Sequence, residues 1–177
     1  MNMKKAAALL LSLALAAGIV SAAAPRAKAA DAAPYSSMQF YRNELTSYTG
    51  SAKQVVVPEG VETIGASAFQ NNTALTSVSL PSTLKSIGAY AFAGCTGLTS
   101  VTLPASLTAL DDYAFSGCTK LASVNGGAGV VTVGFSVFES TAMLNAATAA
   151  YVLFGNGVLI AYKGSSASIT VPAGVRH

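Results

Sequence analysis

Apolar residues recur along the middle of this chain in several columns that share one period. Phe69, Phe92, Phe115 and Phe138 stand 23 residues apart, and so do Leu75, Leu98, Leu121 and Leu144. Val78, Val101 and Val124 follow in step, as do Pro58, Pro81 and Pro104, and Ile64, Ile87, Leu110 and Val133. Independent columns in one register are the mark of a repeat architecture, in which each unit is too small to bury its own apolar face. Within one unit, Leu98-x-x-Val101-x-Leu103 alternates with a period of two and predicts a short strand whose Val101 and Leu103 point inward. Pro104 ends that strand because proline cannot donate to a ladder. Leu107 and Leu110 turn inward on the next side, Ala114-Phe115 fills the far side, and Gly117-Cys118 closes the coil. The four Phe and four Leu positions named above are therefore the expected repeat core, over four repeats in residues 54–144.

A longer repeat overlies the short one. Leu45-x-x-Tyr48-x-Gly50-Ser51 leads to Val55-x-Val57-Pro58-x-Gly60-Val61, and Leu159-x-x-Tyr162-x-Gly164-Ser165 leads to Ile169-x-Val171-Pro172-x-Gly174-Val175. Before each lies a predicted hairpin: Met38 to Tyr41 with Leu45 to Tyr48, and Tyr151 to Phe154 with Val158 to Tyr162. Asn156-Gly157 is a strong turn signal for the second. Residues 30–53 are thus expected to form an N-terminal hairpin and cap. Residues 145–177 should form a linker, a second hairpin and the opening of a further repeat. The I-G-x-x-A-F of that repeat does not arrive before His177, which points to a fragment or a shortened gene, since a capping unit should end the array with polar residues.

The pattern L-x-x-V-x-L-P-x-x-L-x-x-I-G-x-x-A-F-x-G-C stands nearly intact as Leu75 to Cys95, and as Leu98 to Cys118 with Leu110-Asp111 in place of Ile-Gly. It resembles the BspA-like leucine-rich repeats of bacterial surface proteins, over roughly residues 45 to 175. The resemblance implies a right-handed solenoid with one parallel sheet and a short β or irregular far side, β-rich with little helix. It also implies a surface role in adhesion or protein binding. The unit from Val124 departs from the pattern, with Gly127 for the proline and Thr141 for the cysteine, and should be looser.

Residues 1–29 read as a secretory signal. Lys4 and Lys5 precede an uncharged apolar run from Ala6 to Val20, and Ala27-Lys28-Ala29 offers a small-x-small cleavage site. The run is shorter than the ~20 residues that a membrane span needs. This segment distorts the composition, which is 52% hydrophobic and 10% charged with a formal charge of +3. Four of the ten basic residues lie before Ala30 and all seven acidic ones after it, so the remainder is nearly neutral. No basic stripe is left to suggest nucleic acid. The expected product is secreted or extracellular, either free or attached to the cell wall, with no membrane span after cleavage.

Candidate chemistry is sparse. His177 is the one histidine and it is terminal, whereas a Ser-His-Asp or Cys-His arrangement needs a histidine held by its neighbours. Two cysteines 23 apart with no second histidine make no zinc site. Asp111-Asp112 lies on a turn where other coils carry Gly-Ala, and adjacent carboxylates diverge instead of opposing each other across a cleft. Glu59 and Glu62 read as surface residues. Gly126-Gly127-Ala128-Gly129 lacks the lysine and helix of a phosphate loop. Asn71-Asn72-Thr73 matches a glycosylation sequon that a bacterial signal leaves idle. Cys95 and Cys118 share a column; strands ~4.8 Å apart and the ~3.8 Å between Cβ atoms of a disulfide favour two buried thiols over a bridge. No catalytic, cofactor-binding or metal-ligating residue is assigned, and no cofactor is expected.

The candidate ligand face is the outward side of the strands: Gln54, Ser77, Ser100 and Ser123 in one column, and Val56, Ser79, Thr102 and Asn125 in the other. It has no tryptophan, tyrosine or arginine, the usual hot-spot residues, so binding through many weak contacts is expected. The partner would be a protein or glycan on another cell or matrix. A structural stalk, or the non-catalytic arm of a larger exported protein or enzyme, is the alternative.

Overall fold

The computed structural model describes residues 35–148, 151–154 and 158–162. The signal segment 1–29, the second Gly-Ser-Pro header from Gly164 onward, the Asn156-Gly157 turn and His177 all lie outside the described residues. The rest is a solenoid of about four coils with two short parallel strands per coil.

The first strand of each coil is the one that the alternation marks. These are β3 (Gln54–Val56), β5 (Ser77–Ser79), β7 (Ser100–Leu103) and β9 (Ser123–Gly126). The second strand follows the proline turn and is only two residues long: β4 (Thr63–Ile64), β6 (Ser86–Ile87), β8 (Ala109–Leu110) and β10 (Thr132–Val133). A hairpin of β1 (Met38–Tyr41) and β2 (Glu44–Tyr48) opens the chain, its second strand starting one residue before Leu45.

Parallel pairing runs on two sides of each coil. The first strands pair as β3 with β5 and β7 with β9, in the registers Gln54↔Ser77 and Ser100↔Ser123. The unbroken ladder is on the other side, in the order β1-β2-β4-β6-β8-β10, antiparallel within the hairpin and parallel from β2 onward. The hairpin caps the solenoid by offering β2 as one more parallel strand, with Leu45 opposite Ile64.

Stacking satisfies the backbone where there is no strand. On the far side Phe69 N–H donates to the Ala91 carbonyl at 2.7 Å, Phe92 to Ala114 at 2.8 Å and Phe115 to Val137 at 2.9 Å. Each coil thus supplies the acceptors that its neighbour needs, and buried peptide groups left unpaired would be costly. Side chains repeat the scheme: Thr76 and Thr108 hydroxyls donate to the carbonyls of Lys53 and Lys85, one coil back, at 2.9 and 3.1 Å.

The core between these faces is a set of columns. Phe69, Phe92, Phe115 and Phe138 are buried and stack ring on ring, with centroids 4.9, 5.1 and 5.8 Å apart and planes within 8° of parallel. Tyr48 closes the stack at one end and Phe154 at the other, each tilted with its centroid 5.1 Å from its neighbour. Leu75, Leu98 and Leu121 are fully buried. Leu144, placed in their column by the periodicity, is only half-buried. The cause is Thr141 in the cysteine column. Its hydroxyl donates to the Phe138 carbonyl at 2.7 Å and accepts from Leu144 N–H at 3.2 Å, which caps a short helix, α1 (Ala142–Ala146). The helix lifts Leu144 out of register, and the expected alanine-rich linker from Asn145 starts inside it.

Past α1 comes a hairpin of β11 (Tyr151–Phe154) and β12 (Val158–Tyr162). It repeats the first hairpin in detail. Both open on a pair closed by tyrosine, Met38↔Tyr48 and Tyr151↔Tyr162, and both shift register after the second pair.

Candidate functional site

Each coil turns a corner after its second strand, and the corner is left-handed without glycine. Ser67, Tyr90, Tyr113 and Ser136 hold this column with φ of 58°, 58°, 57° and 50°. Four positions on, Asn71, Gly94, Gly117 and Ser140 are left-handed as well. Asparagine and glycine adopt this region readily, whereas a bulky side chain there is an outlier held by its surroundings. At Tyr90 and Tyr113 those surroundings include the next coil: Tyr90 N–H donates to the Asp112 carbonyl at 3.0 Å, and Tyr113 N–H to the Phe135 carbonyl at 2.8 Å.

Two outer surfaces result. On the first-strand side Gln54, Ser77, Ser79, Ser100, Thr102, Ser123 and Asn125 are all exposed, and Val56 is half-buried beside them. The inward partners Val55, Val78 and Val101 are buried, which holds the alternation in phase. The face is a row of small uncharged polar groups. At the corner the surface is aromatic. The rings of Tyr90 and Tyr113 stack with centroids 4.9 Å apart and planes 8° from parallel. Tyr90 is 41% exposed and Phe135, on the adjoining column, is 75% exposed. This patch is missing from the candidate ligand face read from the chain. Its signal was two tyrosines 23 apart in a column that is otherwise serine.

Asp111 and Asp112 are both exposed. Asp112 Oδ1 accepts from Phe135 N–H at 2.6 Å, tying the third coil to the fourth. Glu59 and Glu62 are likewise held by the next coil. Glu59 accepts from the Ser82 N–H and hydroxyl at 3.1 and 3.0 Å, and Glu62 pairs with Lys85 at 2.8 Å. Cys95 and Cys118 are unbridged and buried. Their thiols donate to the Phe69 and Phe92 carbonyls at 3.1 Å. Burial pushes Cys95 up from 9.0 to about 11; burial, then the neighbouring Cys95, pushes Cys118 to about 12. A thiol so poor in thiolate is a packing group and a hydrogen-bond donor, not a nucleophile. Among the described residues no group of three His, Cys, Asp or Glu side chains could hold a metal ion, and no helix is long and apolar enough to cross a membrane.

Residues 41–152 match the model of the BspA-type leucine-rich repeat region, in six copies. No curated protein matches the chain. Among solved structures, the fold resembles a leucine-rich repeat protein of T. pallidum, with a TM-score of 0.57 and 32% identity over 60% of this chain. The chain spans little more than half of that protein, 55% of its length. A leucine-rich repeat protein from Bacteroides capillosus ATCC 29799 is similar at a TM-score of 0.51 and 26% identity, over 56% of this chain and 80% of that one.

Proposed function

The chain belongs to the BspA-type leucine-rich repeat family, and on that basis we propose that it is an exported, non-catalytic binding module of the bacterial cell surface. The observation that carries this reading is the strand face, where seven uncharged polar side chains stand exposed in register while Val55, Val78 and Val101 between them are buried and Val124 is half-buried. A row of this kind carries no charge to desolvate and offers hydroxyl and amide groups at the spacing of the coils. A protein or glycan partner would meet it as an extended surface of many weak contacts. Export rests on Lys4-Lys5, the apolar run from Ala6 to Val20 and Ala27-Lys28-Ala29.

The test is binding of the labelled chain to immobilised matrix proteins and to a glycan array, with two double variants. Ser100→Arg with Thr102→Arg adds bulk and charge to the face without touching the buried Val101 and Leu103. Ala66→Arg with Gln70→Arg changes exposed positions elsewhere on the coil. The first should abolish binding and the second preserve it. The reverse result removes the strand face from the reading. A chain that binds nothing in either assay leaves the stalk or spacer role in its place.

A further inference from the structure

The corner after the second strands carries features that the binding reading does not use and that do not rest on it. Tyr90 and Tyr113 form a two-ring stack on the outside of the solenoid, parallel to the buried Phe column. The column has serine at both ends, Ser67 before Tyr90 and Ser136 after Tyr113, with the same left-handed backbone. Serine therefore meets the backbone requirement of this corner, so the fold does not need the rings. A bulky residue in the left-handed region is strained, and here two adjacent coils hold one while leaving Tyr90 41% exposed. Strain and exposure together are a poor use of a tyrosine unless its ring meets something.

Charge states what that partner is. Asp111 and Asp112 directly precede Tyr113, and Asp112 is hydrogen-bonded through its backbone to Tyr90 and through Oδ1 to Phe135. The third and fourth coils hold Asp111, Asp112 and Glu139 against a single basic residue, Lys120, which lies beyond the buried Cys118 on the way to the strand face. Among the described residues the one ion pair is Lys85 with Glu62, so no cation neutralises the two aspartates. An exposed tyrosine pair whose chain neighbours are unneutralised carboxylates favours a cation, and a planar one most. A guanidinium stacks flat on an aromatic ring while its N–H groups point to carboxylates at the ring's edge.

We infer that the Tyr90–Tyr113 stack with Asp111, Asp112 and Phe135 is a docking site for an arginine-bearing segment of a partner protein. The arginine plane extends the ring stack, the aspartates take its charge, and Phe135, 75% exposed, covers the apolar stem of the segment.

The experiment titrates the full chain with three short peptides of one design, differing only in arginine, lysine or citrulline, the last a neutral planar analogue of arginine. Ring-proton shifts of Tyr90 and Tyr113 and the Kd are read together. The arginine peptide should shift both rings, bind severalfold tighter than the lysine peptide and lose affinity as salt is raised; the citrulline peptide should bind at least tenfold more weakly. Tyr90→Ser with Tyr113→Ser, which copies the serines of this column, should weaken arginine binding about tenfold and keep the melting temperature within a few degrees. Asp111→Asn with Asp112→Asn, which keeps an oxygen for Phe135 N–H, should do the same. Should the double serine variant lose its fold, the ring shifts in the unaltered chain decide alone. The site is overturned if those shifts are absent, if citrulline binds as well as arginine, or if a neutral oligosaccharide shifts the rings while the arginine peptide does not.

Discussion

Truncating Phe92 to alanine tests the core where stacking is tightest. Phe92 is fully buried, its ring 4.9 Å from Phe69 and 5.1 Å from Phe115, both nearly parallel. Replacing a buried phenylalanine by alanine costs about 3–5 kcal/mol, as lost transfer energy plus the cavity left behind. The substitution also cuts two ring–ring contacts, each worth roughly 0.5–1.5 kcal/mol beyond the area buried, so Phe92→Ala belongs at the upper end of that range. Against a typical domain stability of about 5–15 kcal/mol, this is a large fraction. It should lower the melting temperature by roughly 10–25 °C, at a few degrees per kcal/mol for a domain of this size. The damage should also travel. Each coil contacts only its neighbours, so amides of the first and third coils should exchange faster, Asn71 and Gly117 included. Phe138 provides the comparison. Its ring is 5.8 Å from Phe115, and on its other side it meets a tilted Phe154. Phe138→Ala should therefore cost less, by about 1 kcal/mol. The assay is a circular-dichroism melt of both variants with hydrogen exchange on Phe92→Ala. If Phe92→Ala melts with the unaltered chain, or no lower than Phe138→Ala, the ring stack does not hold the coils together.

Three further outcomes follow from particular contacts. Cys95 and Cys118 should not react with a thiol reagent in the folded chain at pH 8 and should both react once it is unfolded. Because folding raises both values, to about 11 and about 12, the unfolded chain releases its thiol protons first. The stabilisation is complete below pH 9 and is lost as pH rises from 9 toward 12, so the melting temperature should fall there, less so in Cys95→Ala with Cys118→Ala. Asp112→Ala removes the acceptor for Phe135 N–H and should destabilise by about 1 kcal/mol, while Asp112→Asn keeps the oxygen and costs less, as a denaturant midpoint would show. Gly94→Ala should be worse than Gly117→Ala. Both glycines are left-handed, at 70° and 71°, but a Cβ on Gly94 would collide with Asn71 Oδ1, whereas on Gly117 it would find its nearest neighbour at 3.5 Å. Equal melting temperatures for the two variants would show that the contact with Asn71 relaxes freely.

The core was legible because burial forces repetition. A side chain that fills the same space in each coil must keep its type and spacing, so the Phe column and three members of the Leu column could be placed from the 23-residue period alone. What escaped is carried by backbone or by a single departure. The two-residue strands β4, β6, β8 and β10 are too short for alternation to show, yet they form the continuous ladder. Leu144 kept its spacing and lost its place, because Thr141, two positions before α1's second residue, caps a helix instead of closing a coil.

The outer surface obeys the opposite rule, and this is why the site was harder to read than the fold. A solvent-facing column is free to vary, so regularity there says little and departure says more. The strand face is regular: serine, threonine and asparagine in step, a pattern that solubility alone would allow. The corner is not. Two coils replace the serine of Ser67 and Ser136 with tyrosine, and the third also replaces the Gly-Ala of the first two coils with Asp111-Asp112. None of these changes fills the core, and the tyrosines adopt a backbone conformation that disfavours them. Substitutions that add strain, exposed aromatic surface and uncompensated charge at one corner make no sense as packing. They do make sense as recognition, since rings and carboxylates are what a cationic partner binds. In an array whose interior is uniform, the places where adjacent coils disagree on the outside are where specificity can be encoded.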